Sequence, residues 1–288
     1  MFRTLTLAFL LSLAAGLAFA QDDMADVEIE TTKLNDNIAM LKGRGGNLAV
    51  FTSDDGVFLV DDQYAPLTEK ILAAIGELTD QPVKFVLNTH WHGDHTGGNE
   101  KLGEMGTIIV SHDNVRKRLT TEQFSKFFDR TVEASPEGAW PVVTFTEGIT
   151  FWMGGEEIAV RHAPHAHTDG DGIVHFKTSN VIHSGDVIFY GLYPYIDTSA
   201  GGTIDGLIAG VEWILENSDA NTQIVPGHGP LLGREQVEEY HAMLVDIRSA
   251  VTSLKAESAT LESVQGAKVA SSYDEAWGQV WITSDQFV

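Results

Sequence analysis

Short blocks of apolar residues separated by polar turns run along most of the chain, and this pattern predicts β-strands. The predicted strands read VEIET, NLAVF, GVFLVD, VKFVLNTH, TIIVSH, VVTF, EIAVRHA, GIVHF, NVIHSGD and TQIVPGH. Two turns, Gly154-Gly155 and Thr178-Ser179-Asn180, predict hairpins between neighbouring strands. A further strand pair is predicted in LKGRGGNLAVF, whose tip, Gly43 to Asn47, is either a mobile loop or an ordinary turn.

Helical spacing appears between some of these strands. Leu67, Ile71, Ile75 and Leu78 fall on one face after Pro66, and TIDGLIAGVEWILENS and GREQVEEYHAMLVDIRSAVTSLKAES are longer amphipathic segments. A chain of 288 residues with 43% hydrophobic content can bury a sizeable core. Since no repeat or Pro/Ser-rich linker divides it, we expect one layered α/β domain over residues 21–288 rather than two small domains.

The first twenty residues have the layout of a secretory signal peptide. One arginine, Arg3, precedes an unbroken apolar stretch that ends in Ala-Phe-Ala, and acidic residues begin just after Gln21. A membrane anchor is the competing interpretation, but the apolar run is short and ends in small residues. We therefore expect cleavage, no stable membrane insertion afterwards, and a periplasmic or secreted mature protein.

The composition excludes several function classes. The net charge is −23, and it becomes −24 without Arg3, so the surface repels nucleic acids and anionic membranes and favours a small-molecule substrate. The chain has no cysteine, which excludes disulfides, thiolate metal sites and thiol nucleophiles. It also lacks the Gly-x-Ser-x-Gly motif of serine hydrolases and a phosphate-binding Gly-Lys-Ser/Thr loop.

The segment NTHWHGDHTGG carries the strongest chemical signal. His90 and His92 stand two apart at the end of an apolar strand, so an extended backbone points both side chains the same way, towards one metal ion. Asp94 and His95 follow where the chain turns, and we expect them to face a different direction. This spacing suits two adjacent metal ions better than one.

Further ligands have to come from later strand ends. Three segments offer them, namely APHAHTDGDG with His165 and His167, IHSGDVIF with His183 and Asp186, and IVPGHGPL with His228.

Together these motifs resemble the metallo-β-lactamase superfamily over residues 38 to 235. The match comprises Asp61 or Asp62 at a strand end, the histidine motif, His167-Thr168, Gly185-Asp186 and Gly227-His228-Gly229. The resemblance implies a four-layer αββα sandwich with two zinc ions at the edge between two sheets. It assigns His90, His92 and His167 to the first ion, Asp94, His95 and His228 to the second, and Asp186 to a bridge between them. His167 is preferred to His165 because the family's third histidine precedes Thr or Ser before a turn.

The resemblance also implies a hydrolase in which a hydroxide held between two zinc ions attacks a carbonyl-centred bond of a lactam, lactone or ester. Asp94 and Asp186 are then the catalytic residues, and Asp61 or Asp62 orients a histidine ligand. Dedicated β-lactamases usually carry cysteine or serine in place of Asp186, so β-lactamase activity is plausible but not implied. Glyoxalase-II-like members fit an exported chain less well, and nucleases conflict with its charge.

Two alternatives share the same ligands: an iron-dependent oxidoreductase and a metal-binding protein without turnover. For the substrate pocket, Tyr190, Tyr193 and Tyr195 follow Asp186 on a loop that either lines the pocket or packs on the sheet. The C-terminal aromatic residues Trp277, Trp281 and Phe287 are predicted to pack in the core.

Overall fold

The computed structural model describes residues 24–288, so the predicted signal peptide lies outside the described residues. Within this range the strands are β1 (Glu30–Lys33), β2 (Ile38–Lys42), β3 (Leu48–Ser53), β4 (Gly56–Val60), β5 (Val83–Asn88), β6 (Ile108–His112), β7 (Gln123–Ser125), β8 (Arg130–Val132), β9 (Val143–Phe145), β10 (Gly148–Met153), β11 (Glu156–Ala163), β12 (Asp171–Phe176), β13 (Val181–His183) and β14 (Gln223–Val225).

The helices of the same range are α1 (Thr68–Gly76), α2 (Gly93–Thr96), α3 (Asn99–Glu104), α4 (Asp113–Leu119), α5 (Ile204–Glu216), α6 (Arg234–Ala256), α7 (Leu261–Gly266), α8 (Asp274–Trp277) and α9 (Ser284–Phe287). The Thr203 hydroxyl caps α5 by accepting a hydrogen bond from the Gly206 amide. None of the helices in residues 24–288 combines the length and apolar character that a membrane crossing requires.

Two large sheets form the centre of the molecule. The first has the order β1-β2-β3-β4-β5-β6-β9 and the second β10-β11-β12-β13-β14, while β7 and β8 form a separate hairpin. In the first sheet β4, β5, β6 and β9 are parallel neighbours, and in the second only β13 and β14 are parallel. Parallel strands end at the same edge, so loops that follow them converge there.

The two sheets pack face to face with helices on both outer sides. Phe58 and Val60 of the first sheet meet Val174 and Phe176 of the second in the central core. The alternate residues of β4, represented by Leu59, pack instead against Leu67, Ile71 and Ile75 beside α1. On the far side of the second sheet, Ile173, Ile182 and Ile224 pack against α5 and α6. These layers confirm the predicted αββα sandwich, and strands buried on both faces explain the nearly continuous apolar runs.

The turn predictions are confirmed for all three strand pairs. Gly154-Gly155 joins β10 to β11, residues 178–180 join β12 to β13, and the Gly43–Asn47 segment joins β2 to β3, each as an antiparallel pair.

The first strand begins later than the pattern VEIET predicts. Residues before Glu30 lie along α1 instead, where the Lys70 ammonium donates hydrogen bonds to the carbonyl oxygens of Met24, Ala25 and Val27. Val27 and Ile29 pack against the apolar cluster beside that helix, so their alternation marks contact with a helix rather than a strand.

Candidate metal centre

Residues 90–95 lie just beyond the carboxyl end of β5. The backbone is still extended at His92, and the chain turns into α2 at Gly93. His90 Nε2 and His92 Nδ1 lie 3.1 Å apart, whereas Asp94 and His95 project from the short helix. The side chains of His90 and His92 therefore point in one direction and those of Asp94 and His95 in another, as the spacing of the motif predicts.

The other predicted ligands come from loops of the second sheet. His167 lies between β11 and β12, Asp186 in a single helical turn after β13, and His228 after β14. All three reach residues 90–95, so both sheets contribute to one site.

The first group of candidate ligands is His90, His92, His167 and Asp186. His92 Nδ1 lies 3.1 Å from His90 Nε2 and 2.8 Å from His167 Nε2. Asp186 Oδ2 lies 3.6 Å from His90 Nε2 and 3.5 Å from His167 Nε2. Three imidazole nitrogens and a carboxylate oxygen thus point to one small volume.

The second group is Asp94, His95 and His228. Asp94 Oδ2 lies 3.7 Å from His95 Nε2 and 3.4 Å from His228 Nε2. Asp186 also faces this group, because its Oδ1 is 3.1 Å from His95 Nε2 and its Oδ2 is 3.5 Å from His228 Nε2. The structure therefore places Asp186 between the two groups.

Hydrogen bonds at the opposite ring nitrogens orient three of these histidines. His95 Nδ1 lies 2.8 Å from Asp61 Oδ2, and His92 Nε2 lies 3.0 Å from Asp197 Oδ2. His167 Nδ1 donates to the main-chain oxygen of Tyr195 at 2.6 Å. Each contact leaves the other nitrogen directed into the site, which is how proteins fix histidine ligands.

Of the two aspartates that the sequence leaves open, Asp61 contacts a candidate ligand. Besides His95, its carboxylate accepts hydrogen bonds from the amide and hydroxyl of Thr89, each at 2.7 Å. Asp62 Oδ1 instead accepts a hydrogen bond from the Gly98 amide. Asp61 adopts a positive φ of 61°, a conformation that costs a non-glycine residue energy.

Two histidines of the first group, His90 and His167, favour their neutral form. Burial lowers the pKa of His90 well below its usual range, and the nearby His95 lowers it further. Burial also lowers the pKa of His167 to about 4. A neutral imidazole has the free nitrogen lone pair that a metal ion binds.

The carboxylates of the site remain ionised. Burial alone would raise the pKa of Asp94, but His95 and His228 outweigh it and lower the pKa to about 2. The pKa of Asp186 is likewise held well below its usual range, because three histidines outweigh its burial. Buried negative charge of this kind requires nearby positive charge.

The side chains present fit metal ions. His95 Nε2 and Asp186 Oδ1 are buried and face one another, yet neither has a hydrogen-bond partner in the described part of the chain. Imidazole and carboxylate groups are ligands that zinc accepts, and they also bind iron. The unsatisfied atoms point to ions as the missing partners.

Glycine allows two loops to approach these side chains closely. A Cβ atom at Gly46 would lie 2.1 Å from His95 Cε1, and one at Gly227 would lie 2.0 Å from Asp186 Oδ1. The tip of the β2–β3 hairpin is also tied down, since Asn47 donates side-chain hydrogen bonds to the carbonyl oxygens of Pro226 and Gly229. The tip thus forms a packed wall of the site rather than a projecting loop.

A cleft of about 480 Å³ opens onto the candidate ligands. Tyr195 lines it, whereas the Tyr190 hydroxyl donates to Glu239 and the buried Tyr193 hydroxyl donates to the Ala270 carbonyl. Of the two roles that the sequence leaves open for these tyrosines, Tyr195 lines the pocket, whereas Tyr190 and Tyr193 pack against the rest of the protein.

The packing prediction for the C-terminal aromatic residues is wrong for Trp281. Trp277 is buried, and Phe287 stacks on Tyr193. Trp281, however, is 43% exposed and lines the cleft beside Phe128. Phe128 belongs to the β7–β8 hairpin, which the sequence pattern does not predict because its strands are only three residues long.

The remaining histidines lie outside both groups. His165 is exposed and contacts the Gly201 carbonyl, while His183 is buried against the Asn47 carbonyl. His112 and His162 stack on each other with ring centroids 3.8 Å apart. The preference for His167 over His165 agrees with this placement.

Sequence analysis missed Asp197, the partner of His92. The two residues are 105 positions apart, and Asp197 stands in a loop with no neighbouring metal-ligand motif. Its contact depends on the path of the loop after Asp186, for which the sequence carries no periodic signal.

Comparisons with known proteins identify the family and the fold of the chain. Residues 41–228 match the profile of the family described as the Metallo-beta-lactamase superfamily. The chain is 25% identical to the Beta-lactamase-like protein 2 homolog of Caenorhabditis elegans over 230 residues, which cover 72% of this chain and 67% of that protein. It is 29% identical over 160 residues to the Hydroxyacylglutathione hydrolase of Hyphomonas neptunium, covering 54% of this chain but only 49%, about half, of that relative.

A solved metallo-beta-lactamase from Pontibacter korlensis has the same fold. The two structures superpose with a TM-score of 0.62 at 19% identity, covering 76% of this chain and 100% of the other.

Proposed function

The chain belongs to the metallo-beta-lactamase superfamily, whose members include metal-dependent hydrolases, and we propose that it uses two zinc ions to hydrolyse a carbonyl-centred bond of a small molecule. The family resemblance seen in the sequence motifs is thereby confirmed. The proposal extends this membership to the number and kind of ions, the ligands and the bond that is broken.

One observation carries the proposal: two adjacent ligand groups share Asp186 at the floor of an open cleft. A structural zinc site is closed by four protein ligands, whereas a catalytic site keeps a position for water or substrate. His92, Asp94 and His228 all line the cleft, so a substrate can reach the ligands directly. This access favours catalysis over simple metal storage.

Zinc bound here would supply a water molecule with a pKa near 7 and would polarise the substrate carbonyl. The protein's own part is to hold a proton acceptor beside it. Asp94 is ionised, partly exposed and next to His228, so its carboxylate can orient the attacking water by accepting a hydrogen bond and can later return the proton to the leaving group. Asp186 faces both ligand groups and would keep them at a fixed distance from each other.

We also propose that the mature protein is exported to the periplasm or secreted. The support is the apolar N-terminal segment that ends in Ala-Phe-Ala before Gln21. Mass spectrometry of protein recovered from cell fractions and medium is expected to find an N-terminus near Gln21 outside the cytoplasm. An intact Met1 in the cytoplasm would contradict the proposal.

The test of the hydrolase proposal combines elemental analysis with turnover. Protein expressed with both zinc and iron in the medium is expected to contain about two zinc ions per chain. It is then assayed with a chromogenic β-lactam, a simple lactone, an aryl ester and a hydroxyacylglutathione. The matched variants are His92→Ala, which removes a candidate ligand, and His165→Ala, which removes an exposed histidine outside both groups.

We expect His92→Ala to lose zinc and turnover together, and His165→Ala to keep both. Iron in place of zinc with redox activity would instead indicate an oxidoreductase. Metal binding without turnover of any substrate would indicate a metal-binding protein, and either result would overturn the proposal.

A further inference from the structure

Two arginines line the cleft of a protein that is otherwise strongly acidic. The chain has 18 basic and 41 acidic side chains, yet Arg44 and Arg130 both border the space above the candidate ligands. They come from separate elements, since Arg44 lies in the β2–β3 turn and Arg130 begins β8. Positive charge is therefore concentrated where a substrate enters.

Arg130 is held by an aromatic ring rather than by an acid. Its guanidinium lies 5.2 Å from the centre of the Phe128 ring, a contact that orients the group while leaving its N–H donors available. Among residues 24–288, no carboxylate forms an ion pair with it. An exposed guanidinium without an acidic partner is suited to bind an anion.

Both arginines act on the same neighbouring side chain. Burial and the charge of Asp94 raise the pKa of Tyr64, whereas His95, Arg44 and Arg130 oppose that rise. Tyr64 also lines the cleft. Tyr64 thus adds a hydroxyl donor to the lining that also contains the two arginines.

An aromatic surface adjoins this group of donors. Phe128, Tyr195 and Trp281 contact one another, with ring centroids 5.5 to 6.1 Å apart. Phe128 thus supports Arg130 and also belongs to the aromatic wall. A ligand bound in the cleft can therefore contact both the arginines and this surface.

We propose that Arg130 and Arg44 bind a carboxylate of the substrate, and that Phe128, Tyr195 and Trp281 bind an apolar portion of the same molecule. The substrate class is accordingly an anionic small molecule with an apolar or aromatic group beside the bond that is hydrolysed. The inference rests on the proposed function, because it concerns the substrate of the same site. Arginine presents paired N–H donors to a carboxylate, which provides both affinity and orientation.

The first test measures binding without turnover. Intrinsic tryptophan fluorescence follows the binding of 4-phenylbutanoate and of its neutral amide, 4-phenylbutanamide, to the zinc-loaded protein and to the zinc-depleted protein. We expect the anion to bind about tenfold more tightly than the amide, because hydrogen bonds to charged groups are the stronger ones.

The variant Arg130→Gln is expected to remove most of this preference by weakening only the anion, whereas Arg130→Lys retains part of it. Arg161→Gln is the matched control, since Arg161 stacks on Trp213 away from the cleft. Anion binding that is unchanged in Arg130→Gln and in Arg44→Gln would overturn the inference, because the carboxylate would then be bound to the metal ions alone.

The second test separates the inference from the proposed function. The aryl esters 4-nitrophenyl hydrogen glutarate and 4-nitrophenyl methyl glutarate share the same 4-nitrophenyl ester and differ at the other end, which is a free carboxylate in the first and its neutral methyl ester in the second. We expect kcat/KM for the anionic ester to fall about tenfold in Arg130→Gln while the neutral ester changes less than twofold. Equal losses for both esters would refute a carboxylate contact even in an active hydrolase. Arginine-dependent anion binding without any hydrolysis would refute the hydrolase proposal while leaving the contact between the arginines and a carboxylate intact.

Discussion

At the scale of single residues, Asp61 links the fold to the candidate metal centre. Its carboxylate joins the Thr89 main chain to His95 Nδ1. In Asp61→Asn one acceptor oxygen becomes a donor, so the His95 ring loses its fixed orientation. We expect a 10- to 100-fold loss of affinity at the second ligand group, measured by competition with a chromophoric chelator.

Asp62→Asn is the matched control for Asp61→Asn. Burial raises the pKa of Asp62 well above its usual range, so burial disfavours its charged form, and the neutral amide of asparagine can still accept the hydrogen bond from Gly98. Metal affinity is expected to stay at the wild-type level. Equal losses in the two variants would show that burial of negative charge, and not the contact to His95, matters here.

Close approach to His95 makes Gly46 sensitive to substitution. The added methyl group of Gly46→Ala would collide with the imidazole, so we expect reduced metal content and a loss of about 1–3 kcal/mol in the free energy of unfolding. Gly76→Ala, at the end of α1 with open space around it, is expected to be neutral or stabilising by up to about 1 kcal/mol. Parallel thermal melts and zinc analyses of both variants check the difference.

At the residue scale, the sequence points to candidate ligands where they form local motifs. The close spacing of His90, His92, Asp94 and His95 indicates a metal site, and His167, Asp186 and His228 follow strand ends. Asp197 and Trp281 belong to no such sequence motif, because each reaches the site through a loop. The choice between Asp61 and Asp62 depended on backbone conformation, since Asp61 has a positive φ that the sequence does not encode visibly.

At the scale of elements, a stacked pair of histidines joins the two sheets. His112 ends β6 and His162 lies near the end of β11. Burial lowers the pKa of both side chains below the ordinary 6.5, and His112 lowers the pKa of His162 further. The hydrogen bonds that His112 and His162 donate to the carbonyl oxygens of Thr146 and Asp169 offset burial only partly. The folded protein therefore binds these protons less readily than the unfolded chain does.

This difference predicts that stability falls as the pH drops. The stabilisation is complete well above pH 6.5 and is lost progressively as the pH falls through the ordinary value towards the lower folded-state pKa. In His162→Gln one of the two groups no longer titrates, so the loss between pH 7.5 and pH 5.5 should be smaller. Urea unfolding of the metal-free proteins measures the free energy of unfolding at each pH. If this free energy falls equally with pH in wild type and variant, the prediction is wrong.

Element predictions were accurate for long apolar strands and amphipathic helices. They failed for the β7–β8 hairpin, whose strands of three residues are too short to show a period. They also misplaced the start of the first strand, where Val27 and Ile29 contact the apolar cluster beside α1. In both cases tertiary contacts, rather than local pattern, determine the structure.

At the scale of the whole molecule, buried charge at the site should make stability depend on metal. Removing the ions leaves the Asp94 and Asp186 carboxylates beside each other with only histidines to compensate. We expect chelation to lower the melting temperature, and free metal at 100-fold above its dissociation constant to restore about 2.7 kcal/mol per site. Differential scanning calorimetry during zinc titration gives both values.

His92→Ala separates the stabilisation that metal binding provides at each ligand group. The variant should keep the metal-dependent stabilisation from the second group and lose that from the first, while His165→Ala should behave as wild type. An unchanged melting temperature after verified metal removal would show that the ions do not contribute to folding stability.

The layered architecture was predictable from alternating strands and helices only as far as a mixed α/β class. Which strands form which sheet follows from long-range pairing, such as β9 beside β6, and here the family resemblance supplied what periodicity could not. The acidic composition predicts that nucleic acids are not partners, but it does not reveal the local basic patch of Arg44 and Arg130.

The order of the strands has a practical consequence. The whole first sheet precedes the Thr146-Glu147 turn, and the whole second sheet follows it. His90, His92, Asp94 and His95 therefore lie in one half of the chain, and His167, Asp186 and His228 in the other. A chain cut at this turn would yield two fragments, neither of which carries a complete ligand group. The apolar core between the sheets favours reassembly of the fragments, and ions bound to the completed ligand groups would stabilise the reassembled pair further. We therefore expect recovery of the fold by the divided protein to increase with free zinc.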